Sequence, residues 1–195
     1  MTTTSPDIRR LEADAYQQSG YFTSAQAREH GVSRQLLDHH VKQERFERVR
    51  RGLYRIQGFP SSQHDDIREK WLAVGPEKAI VSHESALALL ELSDNIPEEV
   101  HLLVPRRHRG LRRPLSVVLH TRPDDEEIGT VWRDGMPVTL PARTLVDAAA
   151  DLQPEQAAMA VQQALTRGLL TRRQLEQEAA RQGKTRLLKI LLPDQ

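Results

Sequence analysis

The sequence predicts an α+β chain: an N-terminal winged helix-turn-helix, followed by a mixed domain with a small sheet and a helical C-terminal part. Three observations predict it. Two helix starts, Thr23-Ser-Ala-Gln26 and Ser33-Arg34, flank Gly31. Two short alternating runs, Phe46-Glu-Arg-Val49 and Leu53-Tyr-Arg-Ile56, surround Arg50-Arg51-Gly52, the form of a β-hairpin with a basic tip. From Pro141 onward the apolar residues recur at helical spacing.

Residues 1–6 read as a frayed tail. Ile8, Leu11 and Ala15 fall on one face of a first helix that ends by Gly20. Thr23 and Gln26 form a capping box, in which the hydroxyl accepts from the amide three residues on and the Gln reaches back. The helix they open runs to about His30, and Gly31 supplies the positive φ of a tight turn. Ser33 caps a second helix from Arg34 to near Glu44. At about 100° per residue, Arg34, Gln35, Asp38, His39 and Lys42 share an arc of roughly 140°. Leu36, Leu37, His40 and Val41 take the other side and face a core. The hairpin follows, and Phe59-Pro60-Ser61-Ser62 reads as a linker. The expected domains are therefore 1–60 and 64–195.

In the second domain, Asp65 to Val74 is predicted helical, with Ile67, Trp71 and Leu72 on one side, and stops at Gly75-Pro76. Ala79-Ile-Val81 is short and apolar. Ser82 is expected to cap a helix from His83 to Leu92. Val100–Val104 and Leu115–His120 are expected strands. Val131-Trp132 and Val138-Thr-Leu140 flank Asp134-Gly135, a hairpin signal. Pro141 opens a helix with Leu145, Val146 and Ala149 on one face. Pro154 opens another, with Ala157, Ala158, Val161, Ala164 and Leu165 inside. Thr171-Arg-Arg-Gln174 is a second capping box, for a helix to about Arg181. Leu187, Leu188, Ile190 and Leu191 close the chain.

Composition narrows the function classes. The 195 residues carry a net charge of only +1, so nucleic acid would be bound by a local patch and not by bulk charge. From Ser33 to Arg55 there are seven Arg/Lys against three acids, a local excess of four. There is no cysteine, which excludes disulfides, thiolate nucleophiles and Cys-ligated metal centres. No run approaches the ~18 apolar residues of a membrane helix, and the N-terminus lacks a basic segment followed by an apolar core. A cytoplasmic location and no membrane partner are the expectation.

The side chains on the polar face of the Arg34 helix are those that read base edges or hold phosphates. The candidate DNA-binding set is Thr23, Ser33, Arg34, Gln35, Asp38, His39, Lys42, Arg50 and Arg51. Arg106-Arg107-His-Arg109-Gly-Leu-Arg112-Arg113 is the densest basic run, with five Arg and no acid. It reads as a solvated hairpin loop or as a second contact for nucleic acid or an acidic partner. Asp124-Asp-Glu-Glu127 follows and partly neutralises it. His64-Asp65-Asp66 and His83-Glu84 are expected to act at helix starts. His39 and His40 point to different sides and share no metal. Arg143 and Asp147, at i and i+4, make a surface or half-buried ion pair. No phosphate loop, nucleophile elbow or HExxH motif is present, so no catalytic residue, metal ligand or cofactor is expected.

Four segments carry a family resemblance: Tyr21-Phe-Thr-Ser-Ala-Gln-Ala27, the hairpin Phe46–Ile56, His83-Glu-Ser-Ala86, and Val138-Thr-Leu-Pro-Ala-Arg-Thr-Leu-Val-Asp147. In this order the chain resembles the AbiEi-type antitoxins of bacterial abortive-infection systems, in the branch with an N-terminal winged helix. The resemblance implies a two-domain antitoxin. Its winged domain would bind repeats in its own promoter as an autorepressor, and its C-terminal domain would neutralise a nucleotidyltransferase toxin, by direct contact or indirectly. Longer relatives with the same Pro-Ala-Arg-Thr-Leu segment continue into a nuclease-like domain of the PD-(D/E)xK kind. This sequence stops at Leu191–Gln195, so the expectation is a regulator and not an enzyme. The alternatives are a stand-alone winged-helix regulator and a reduced metal-dependent nuclease.

Overall fold

In a computed structural model, residues 6–93 and 97–192 are described. The tail expected at 1–6 lies outside them except for Pro6. The chain divides into two compact units, Met1–Pro76 and Glu77–Gln195.

The first unit holds α1 (Ile8–Gln17), β1 (Tyr21–Thr23), α2 (Ser24–Glu29), α3 (Arg34–Lys42), β2 (Phe46–Arg50), β3 (Leu53–Ile56) and α4 (Asp65–Val74). Both expected caps form. Thr23 Oγ1 accepts from the Gln26 amide at 3.2 Å, and Gln26 Oε1 accepts from the Thr23 amide at 2.8 Å. Ser33 Oγ accepts from the Leu36 amide at 3.2 Å. Gly31 has φ +73°, a conformation a Cβ disfavours. Strand β1 is not visible in the sequence, because three residues are too few for alternation to show. It exists through pairing: β1 and β2 flank β3, both antiparallel, in the order β1-β3-β2.

The register of this sheet explains its packing. Phe22, Tyr54 and Phe46 stand on one face and meet Leu11, Ala15, Ala27, Val32 and Leu37 of the helical side. Phe22 stands edge-on to Phe46 at 4.9 Å and stacks on Tyr54 at 5.7 Å. Each such buried side chain stabilises by roughly 1.5–3 kcal/mol. The opposite face carries Tyr21, Leu53 and Arg55, all buried, and α4 covers it. Tyr21 Oη donates to Glu69 Oε1 at 3.0 Å, and Arg55 pairs with Asp65 at 3.1 Å and lies over the Tyr21 ring. The expected domain boundary at 60–64 is therefore corrected to 76. Residues 59–62 are an irregular connection inside the first unit, because a sheet with two apolar faces needs a helix on each. Asp65 lies in the first turn of α4 as expected, without a side-chain cap bond, and its carboxylate also joins Arg55, Arg68 and the Ser62 amide.

The second unit contains β4 (Ile80–Val81), α5 (His83–Leu89), β5 (Val100–Pro105), β6 (Val117–Arg122), β7 (Thr130–Arg133), β8 (Met136–Thr139), α6 (Pro141–Ala148), α7 (Pro154–Thr166), α8 (Arg172–Arg181) and α9 (Leu188–Leu191), with short 3-10 turns at Arg106–His108 and Thr185–Leu187. Its five-stranded sheet runs β6-β5-β4-β8-β7. The β7–β8 hairpin turns at Asp134 and Gly135, both at positive φ, as a type I′ turn requires. Strand β5 is buried at nearly every position, as its unbroken apolar run predicts. Strand β6 begins two residues later than expected, leaving Leu115 92% exposed.

Strands β5 and β6 run parallel. The segment between them is thus a crossover that returns to the start of the next strand, and the expected hairpin loop is corrected on this point. Parallel neighbours cannot be joined by a tight turn. The helices are tied to the sheet by small buried hydroxyls. Ser85 Oγ accepts from the His101 amide at 2.9 Å, and Thr144 Oγ1 donates to the Thr139 carbonyl at 2.9 Å. Thr171 and Gln174 make the second capping box.

Candidate nucleic-acid interface

In the first unit a cleft of about 490 Å³ opens between the start of α3 and the hairpin. Arg28, Arg34, Arg48 and Arg51 line it, with Ser24, Ser33 and Gly52 at its rim. All four arginines are exposed, and among the described residues none is paired with a carboxylate. Other cations nearby are committed. Arg45 makes a two-pronged pair with Glu12 at 2.7 and 2.9 Å, and Arg55 is held by Asp65. The local excess of positive charge is therefore concentrated in the cleft. Guanidinium groups converging beside helix caps and a Gly turn form a site for anionic oxygens.

The outward face of α3 is as the periodicity predicts. Arg34, Gln35, Asp38, His39 and Lys42 are all exposed, while Leu37 is buried and Leu36, His40 and Val41 are partly covered. His40 packs edge-on against Phe46 at 5.4 Å. Burial first, then the charges of Arg45 and His39, lowers its pKa, as suits a ring turned to the apolar side of the helix. Thr23 and Ser33 serve as caps, and Ser33 also lines the cleft.

Arg50 is the correction to the candidate set. Its guanidinium turns away from the wing tip and donates to the Glu69 carbonyl of α4, and its Nε is buried. The cause is a bulge: Arg48 pairs with Tyr54 but Arg50 with Leu53. The extra residue reverses the alternation, so the two arginines leave opposite faces. Arg48 takes the place expected of Arg50. Sequence alone signals neither this nor Arg28, since two arginines two apart in a strand read as sharing a face.

Of the basic run in the second unit, Arg106, Arg107, Arg109, Arg112 and Arg113 are all exposed. Asp124 accepts from the Arg107 amide at 2.9 Å and lies 3.8 Å from its guanidinium. Glu126 does not neutralise this run. It pairs with Arg143 at 2.7 Å and Arg181 at 2.6 Å. Arg143 also meets Asp147 at 2.5 Å, with the Asp147 side chain only 4% exposed and Lys184 at 3.3 Å. The expected half-buried pair is therefore part of a larger network linking α6, α8 and the segment before β7.

Beside it the fold assembles three histidines that lie far apart in sequence: His83 at the start of α5, His101 on β5 and His120 on β6. The rings of His83 and His120 stack at 3.4 Å, and His101 Nδ1 lies 3.1 Å from His120 Nε2. The expected helix-start roles of Ser82 and His83 are corrected: Ser82 Oγ contacts His83 Nδ1 at 3.0 Å and makes no cap bond. Burial, then the neighbouring His120 and His101, lowers the pKa of His83 to about 2. Burial and His101 likewise lower that of His120.

Helix, strand, two helices and a basic hairpin over three strands define the first unit as a winged helix-turn-helix. Residues 9–57 match the family described as "Transcriptional regulator, AbiEi antitoxin". The match covers α1 through the hairpin. No curated protein matches the chain. Among solved structures, the chain is similar to the crystal structure of the RV2827C protein from Mycobacterium tuberculosis. The identity is 15%, over 97% of this chain and 83% of that one, with a TM-score of 0.41. No described helix is long and apolar enough to cross a membrane.

Proposed function

We propose that this chain is a DNA-binding antitoxin that represses its own promoter through the first unit and neutralises a nucleotidyltransferase toxin through the second. The observation that carries the DNA-binding part is the cleft of four unpaired arginines beside the exposed face of α3. On this reading α3 lies in the major groove, with Arg34, Gln35 and His39 toward base edges. Arg28, Arg48 and Arg51 hold the flanking phosphates. The regulator-type match of residues 9–57 supports the same reading. The chain acts by binding and not by catalysis, in a cytoplasmic setting.

The test is fluorescence anisotropy with the DNA upstream of the gene, against scrambled DNA of equal length, over a salt series. Binding that prefers the native sequence at moderate salt is the expected result. Equal, weak binding to both DNAs would remove the repressor role. For neutralisation, the full chain carrying Arg34→Ala and Arg51→Ala is co-expressed with the nucleotidyltransferase toxin that this reading assigns to it. Protection retained without repression is expected, and loss of both would show that the two roles are not divided between the units.

A further inference from the structure

The histidine cluster of the second unit is independent of the DNA-binding cleft and of the toxin reading. We propose that His83, His101 and His120 form a binding site for a divalent transition-metal ion of the zinc class.

Each residue offers one ring nitrogen, and the three nitrogens lie within 4.8 Å of one another. A tetrahedral centre with metal–nitrogen bonds of about 2.0–2.1 Å sets its ligand nitrogens roughly 3.3 Å apart. The His101–His120 separation of 3.1 Å already meets this. Two ring nitrogens that close need either one proton or one cation between them, since two lone pairs repel. His83 is held from behind: Ser82 Oγ engages its Nδ1 and leaves Nε2 for a ligand, the outer-shell arrangement that fixes a metal-binding tautomer. Ligation by all three requires the His83 or His120 ring to tilt out of the present stack.

Two further observations support the site. His83 has φ +50°, a left-handed conformation costly for a residue with a Cβ, and such outliers gather at functional positions. The three rings also come from three separate elements, α5, β5 and β6, which hold them together from different sides. Asp147 and Asp151 place negative charge near His120, partly offset by Lys184. Three protein nitrogens leave one coordination position for water or another oxygen ligand.

The test uses the full chain, stripped with a chelator and dialysed against zinc. One ion per chain is expected to remain, falling at least tenfold in His101→Ala and His120→Ala and unchanged in His39→Ala. Because the alanine variants can misfold, ring-nitrogen NMR of the wild type is recorded with and without zinc. Shifts of ligated nitrogens in His83, His101 and His120 are expected. Unshifted rings at saturating zinc, or undiminished retention in folded variants, would overturn the site.

Discussion

Arg48 and Arg50 stand two residues apart in one strand, yet one enters the cleft and the other packs on α4. This separates their expected phenotypes. Each phosphate contact contributes about 0.9 to the slope of log affinity against log salt. Arg48→Ala with Arg51→Ala is expected to lower that slope by about 2 and to weaken binding to all sequences. Arg50→Ala is expected to leave the slope unchanged and lower the unfolding midpoint instead. A salt titration and a denaturant titration on each variant decide it. The histidines make a second prediction at this scale. His83 and His120 have folded pKa values below the ordinary 6.5. As pH falls through about 6.5 the unfolded chain takes up protons that the folded chain refuses. Stability is therefore complete above that pH and is lost progressively as pH drops toward the folded values. The urea midpoint is expected to be lower at pH 5.5 than at pH 7.5, with a smaller difference in His83→Gln. Glu126 and Glu178, held below the ordinary carboxylate value against their own burial by Arg181 and Arg143, titrate outside this window.

At the scale of elements, local chemistry sets the helix boundaries closely. Thr23 with Gln26, Ser33, and Thr171 with Gln174 each start a helix at the expected position. Thr23→Ala is expected to cost about 1 kcal/mol, measured by thermal unfolding. Because α2 carries Arg28 and precedes α3, DNA affinity is expected to fall with it. Strands are less legible. β1 and β4 are too short to show a period, and the bulge in β2 is set by its partner. The parallel pairing of β5 with β6 likewise depends on partner choice, which makes the arginine run a crossover.

For the whole molecule, the decisive feature is that α4 belongs to the first unit. A fragment of residues 1–76 is expected to unfold cooperatively. A fragment of residues 1–60 would expose Tyr21 and Leu53 and strip Arg55 of Asp65, and is expected to lack a cooperative transition by circular dichroism. Equal stability of the two fragments would restore the boundary at 60. The α+β class, the helix caps, the polar face of α3 and the basic character of the wing are all legible in the order of the residues. These rest on spacing and side-chain chemistry within a few residues. Which arginines share the cleft, which helix covers the second face of the sheet, and that residues 83, 101 and 120 meet emerge with the folded chain. Those outcomes depend on strand register and pairing between distant segments, where one inserted residue moves a side chain to the other face.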